Sequence, residues 1–110
     1  MWIRSAFWVG SPHDANGSGF DRAVDAELVP ALRDLPGVSN ARALWPRRLE
    51  DSPPAIYCQV VVEFADVAAL ETMLASPERA SLRTRVREVA AMFDGTISHI
   101  DYEVGPLDRA

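Results

Sequence analysis

Lysine is absent from this sequence of 110 residues, and its 11 basic residues are all arginine, set against 16 Asp and Glu. The resulting net charge of −5 turns the whole-molecule field against phosphate backbones and anionic lipid, so neither nucleic acid nor a membrane surface is an expected partner. Cysteine is nearly absent as well. Cys58 alone cannot close an internal disulfide, and Met1-Trp2-Ile3-Arg4-Ser5 does not lead from a basic stretch into a long apolar run, so a reducing cytoplasm is the expected location. A glycine-rich phosphate loop, a nucleophile elbow, a Cys-x-x-Cys pair and a solenoid-type repeat are all missing. What is present, 48% hydrophobic and 25% charged residues, suits one soluble globular domain, expected over residues 1–104 with a short tail at 105–110.

Trp2 to Val9 alternates at period two with aromatic and β-branched residues on both sides, which predicts a first strand with both faces partly covered. Residues 10–19 are rich in turn formers and predict a flexible loop. Ser18 with Asp21 resembles a capping box, and Phe20, Val24, Leu28, Leu32 and Leu35 then recur on one helical face, giving a helix over about 19–35 with a kink at Pro30. Pro36-Gly37 stops it. A second strand is expected over 38–47, a turn at 51–54, and the clearest strand over 56–64, where Ile56, Cys58, Val60, Val62 and Phe64 share one face. Asp66 caps a short helix, Ser76-Pro77 starts another that Gly95 closes, and 96–104 forms the last strand. The order β-α-β-β-α-β is that of an α+β, ferredoxin-like split unit: a four-stranded antiparallel sheet with helices on one face.

Two blocks of residues resemble the EthD-like members of the dimeric α+β barrel group. The first is Leu28-Val29-Pro30 followed by Leu35-Pro36-Gly37. The second is Phe64 and Leu70 in a strand-to-helix passage, then Ala75-Ser76-Pro77-Glu78, then Phe93-Asp94-Gly95. Leu28 and Val29 stand where that family commonly carries His-Gly, so an imidazole at this place in the first helix is not available. The resemblance implies a homodimer whose two sheets pack face to face, with a small-molecule cavity in each subunit and no bound cofactor. Across such proteins the reaction varies, from oxygenation to isomerisation and cyclisation, so the fold alone does not select one.

The residues supply candidates for the chemistry. His99 and Asp101, two apart on one strand, project from the same face about 6.5–7 Å apart and suit an acid–base pair or a partial metal set. His13 lies in the loop after the first strand, where closure over a cavity would bring a base to it. Trp8, Trp45 and Tyr57 suit an aromatic-lined pocket, with Arg42, Gln59 or His99 as the polar group that orients a ligand. Core packing accounts for each aromatic separately. Arg79, Arg83 and Arg87 recur at i, i+4 and i+8, and the reading preferred from sequence is a solvated face paired with Glu78 or Glu88, anion recognition being the alternative. Cys58, among apolar neighbours, reads as a small buried hydrophobe. The expected function is cofactor-free proton transfer, isomerisation or oxygenation on a small, largely apolar organic molecule, with His13 or His99 as base and Arg42 steadying an anion. The alternative is a non-catalytic binding homodimer.

Overall fold

Strand β1 (Trp2–Pro12) runs between β3 (Ile56–Phe64) and β4 (Phe93–Glu103), antiparallel to both, and β2 (Asn40–Leu44) completes the sheet in the order β2-β3-β1-β4. The computed structural model describes residues 1–14, 18–51 and 53–107. Even-numbered side chains of β1 face the helices. Trp8 joins Phe20, Val24, Leu28, Val60, Phe64, Leu70 and Val89 in one buried core. Odd-numbered ones (Ile3, Ser5, Phe7, Val9) face the other way, beside Val61, Ile100 and Tyr102 in the register. That second face explains the apolar alternation on both sides of β1.

The proline kink takes a specific form. Helix α1 (Ser18–Ala23) passes into a π-helical turn (Val24–Leu28), where the Val29 N–H donates to the Val24 carbonyl, and then into α2 (Val29–Arg33). Pro30 has no N–H to give the preceding turn, and widening that turn by one residue places it in the first turn of the next helix, where no donor is needed. Leu28 and Val29 stay buried throughout. Gly37 ends the segment with a φ of +83°, and a Cβ there would lie 2.4 Å from the Ala69 carbonyl oxygen, so only glycine fits. The Arg33 Nε–H donates to the Ala41 carbonyl at 2.8 Å and ties α2 to β2.

Several expected boundaries move. The capping box at Ser18 is replaced by Asp14, whose Oδ2 accepts from the Gly19 N–H at 3.0 Å, while the Asp21 carboxylate accepts from the Tyr57 hydroxyl at 2.7 Å. The loop expected over 10–19 begins later: residues 10–12 continue β1 against Phe93–Gly95 of β4, and residues 15–17 lie outside the described residues. Gly10 makes this possible with a φ of +134° and a backbone so close to β4 that a Cβ would fall 2.2 Å from the Asp94 carbonyl oxygen. Gly95 is therefore a strand residue, and the last helix stops at Ala90. β2 is shorter than 38–47 because Pro46 cannot donate to a ladder, and Trp45 leaves the strand to stack edge-on against Tyr57, ring centroids 6.0 Å apart. Ser52, in the expected turn at 51–54, lies outside the described residues.

The second helical region follows the sequence reading. Asp66 Oδ1 accepts from the Ala69 N–H at 2.9 Å to start α3 (Val67–Ala75), and the Ser76 hydroxyl accepts from the Arg79 N–H at 3.1 Å to start α4 (Pro77–Ala90). No helix among the described residues is long and apolar enough to cross a membrane.

Candidate functional site

Between the helices and the sheet lies a cavity of about 340 Å3. Its sheet wall is Ala6, Trp8, Val60, Val62 and Ile97; its helical wall is Leu28, Leu32 and Leu35 with Met73, Leu82 and Val86. Ala6 matters most to its existence, because it stands between Val60 on β3 and His99 on β4 with only a methyl group to project into the space. The π-helical turn sets the opposite wall by directing Leu28, Leu32 and Leu35 to one side, a spacing of four and three residues.

Five polar side chains line this apolar chamber: Arg4 and His99 from the sheet, and Arg79, Arg83 and Arg87 from α4. No carboxylate is among its lining residues. His99 sits on the edge strand and is exposed at the cavity's open side. Partial burial, then the positive charges of Arg4 and Arg79, hold its pKa below the ordinary 6.5, with Asp101 pulling the other way. The ring is consequently neutral at pH 7 and able to accept a proton. Asp101 does not form a dyad with it: Arg4 claims that carboxylate at 2.9 Å. Among the described residues no group of three His, Cys, Asp or Glu comes close enough to hold a metal ion.

Burial, followed by the nearby Arg83 and Arg4 charges, also lowers the pKa of Arg79. The pairing expected from Glu78 and Glu88 is not made. Glu88 binds Arg85 at 2.7 Å, Arg85 also reaches Glu27 on the π-helical turn, and among the described residues no carboxylate lies within 4.0 Å of Arg79, Arg83 or Arg87. Helix geometry gives the reason. Glu78 and Glu88 are one or five residues from the nearest arginines of the stripe, offsets that do not face one another, and the positions three and four away hold Ala, Ser, Thr, Leu, Val or another Arg. The stripe interleaves with Leu82 and Val86, so all five residues look into the chamber. Trp8 is buried to 2% exposure in the wall, and among the described residues its indole Nε1–H has no acceptor.

The residues singled out from sequence divide among five places. Trp8 and His99 share the cavity. Trp8 stands within β1, about 13 Å short of Pro12 along the strand. Arg42 lies on the opposite face of the sheet, paired with Glu63 at 2.9 Å, and Gln59 on that same face accepts from the Ser5 hydroxyl at 3.2 Å. Tyr57 was expected on their face too, but a β-bulge between Trp8 and Val9 makes it the extra residue of β3 and turns it inward. There it packs on Phe20 and Phe93 at 5.6 and 6.0 Å, its hydroxyl pKa pushed up to about 12 by burial and the Asp21 carboxylate. Trp45 lines a second, shallower groove with Pro46, Leu49 and Pro53. His13 is exposed beyond the end of β1, outside the cavity wall, with its backbone N–H on the Met92 carbonyl. Cys58 is fully buried, and burial raises its thiol pKa to about 12.

No protein-family model and no curated protein matches this chain. Solved structures do. An EthD family protein from Bacillus halodurans superposes with a TM-score of 0.74 at 14% identity, covering 96% of this chain and 100% of its own. A dimeric ferredoxin-like protein of unknown function from Jannaschia sp. gives a TM-score of 0.66 at 20% identity, over 94% of this chain and 100% of that one. SnoaB, a cofactor-independent oxygenase from Streptomyces nogalater, gives 0.59 at 17% identity, over 94% and 90%. With its β2-β3-β1-β4 order and near-complete overlap, this chain has the ferredoxin-like α+β fold seen in the EthD family protein and in these dimeric and oxygenase relatives of shape.

Proposed function

We propose that this protein is a homodimeric α+β barrel protein that takes a small, largely apolar organic molecule into the chamber between sheet and helices and moves a proton on it without a cofactor. The observation that carries this reading is a neutral imidazole, His99, at the mouth of an otherwise apolar cavity with Arg4 and Arg79 as its charged neighbours. In the step proposed, His99 takes a proton from carbon next to a carbonyl. The C–H electron pair moves toward the carbonyl oxygen, whose developing charge meets Arg4 and Arg79, and return of the proton to another carbon restores the imidazole. The description of SnoaB as a cofactor-independent oxygenase supports cofactor-free chemistry on this fold.

Pairing of two copies through the face opposite the helices is supported by its exposed Ile100 (46%) and Tyr102 (41%), which lie beside half-buried Ile3 and Phe7, and by the dimeric Jannaschia relative. A second reading, a binding dimer without turnover, is favoured by one fact: His99 is the only lining side chain that exchanges a proton near neutral pH, so the chamber holds no separate acid.

Hydrogen–deuterium exchange at the activated methylene of 2-tetralone, followed by proton NMR in D2O, separates the two. The wild-type chain accelerates exchange over buffer and His99→Gln returns it to the buffer rate while saturation-transfer NMR still detects bound tetralone. Binding without accelerated exchange in the wild type establishes the non-catalytic reading, and tetralone binding that survives Ala6→Phe overturns the assignment of the cavity. Sedimentation of a folded monomer at micromolar concentration overturns the dimer.

A further inference from the structure

We propose that the chamber selects an organic anion, with the apolar body against Ala6, Trp8 and Val60 and a carboxylate held by the Arg79–Arg83–Arg87 row of α4. The inference rests on the cavity being the ligand site and adds the charge of what enters it.

Two independent observations converge. First, the chain carries a net charge of −5, yet this cavity gathers four guanidinium groups and no carboxylate among its lining residues. Of these four, and among the described residues, only Arg4 is paired with a carboxylate, that of Asp101 outside the lining, while Arg79 donates to the Leu74 carbonyl at 3.5 Å. Second, the three arginines of α4 stand one turn apart, about 6 Å between successive members, with like charges at i and i+4 that repel one another. Helical spacing denies them an acidic neighbour, so the row is incomplete until an anion arrives, and two adjacent guanidinium forks match the two oxygens of one carboxylate. Leu82 and Val86, set between the arginines, continue the apolar wall up to the charged row, so one molecule with an oily body and an anionic end meets both.

The test compares two matched pairs by isothermal titration calorimetry: 2-naphthoate against 2-naphthamide, and octanoate against octanamide. Each amide keeps the shape and removes the charge. The wild-type chain binds at least one carboxylate about tenfold or more tightly than its amide, and 0.5 M NaCl narrows the gap. Arg79→Gln/Arg83→Gln/Arg87→Gln loses the carboxylate preference, the affinity for each acid falling to that for its amide, whereas the corresponding lysine triple variant keeps most of it. A carboxylate beside His99 also raises its imidazole pKa, read by NMR titration. The charged groups facing that ring are Arg4 from β1, Asp101 from β4 and Arg79 from α4, while Leu32, Leu35 and Met73 of the other walls bring none. Equal affinity for acid and amide overturns the inference and leaves the cavity reading standing. A preference that survives the glutamine triple variant overturns it too, since the charge would then be read elsewhere. Failure of all four probes to bind overturns the cavity reading along with it.

Discussion

The helix-covered face of the sheet has two halves that solve the same packing problem in opposite ways. Toward the end where β1 and β4 cross at Gly10, Trp8, Phe20, Tyr57 and Phe93 fill the space between sheet and helices with rings whose centroids are 5.0–6.0 Å apart, mostly edge to face. Toward the other end, Ala6, Val60 and Val62 oppose α4, and the space stays open. Both halves draw on the same strands, so the strand backbone does not decide between them. Side-chain volume does: a tryptophan at position 8 is followed, one step along the same face, by a methyl group at position 6. The filled half is packed ring against ring, and the hollow half gives up that packing for the space proposed as the ligand site.

Three experiments break or sharpen that contrast. The largest effect belongs to the filled half, where Phe20→Ala removes a fully buried ring and costs about 3–5 kcal/mol in urea unfolding. Enlarging alanines tests the boundary between the halves. Ala41→Leu, at a fully buried position, costs about 1–3 kcal/mol by overpacking, whereas Ala6→Leu changes stability by less than about 1 kcal/mol and abolishes ligand binding. Equal costs at the two positions would show that the hollow is not a real reserve of space. The smallest effect is the pH response of the hollow half. The His99 pKa lies below the ordinary 6.5, so protonation favours the unfolded chain; its contribution is whole above about pH 6.5 and is lost as pH falls toward the lowered folded value. The urea midpoint of the wild type therefore drops more between pH 7.5 and pH 5 than that of His99→Gln.

Local signals carried much of the architecture. Asp66, Ser76 and Pro36-Gly37 mark helix ends through chemistry confined to three or four residues, and β3 spans Ile56–Phe64 with Cys58, Val60, Val62 and Phe64 on one face, while the bulge at Tyr57 turns Ile56, expected to share that face, to the other side beside Val9. Contacts between distant parts were not legible. The extension of β1 depends on Gly10 meeting Gly95, the inward turn of Tyr57 on a bulge against Trp8, and the cap at Gly19 on Asp14 across the loop. The site divided in the same way. Alternation correctly groups Ile97, His99 and Asp101, but β1 and β3 are apolar on both sides, so it does not tell which face the helices cover; Arg42 and Gln59 fall on the uncovered one. The arginine row of α4 was visible as a spacing. The solvated part of its expected character holds, since Arg83 and Arg87 are exposed; the expected pairing does not form, and the absence of any acid three or four residues from the row's members was the signal for that.

The arginine-only composition has a chemical consequence for the chamber. A guanidinium does not condense with aldehydes and ketones under physiological conditions as a lysine amine does, and no lysine occurs anywhere in the sequence. Under the proposed function, a reactive carbonyl compound would thus rest against four positive charges without being trapped as an imine.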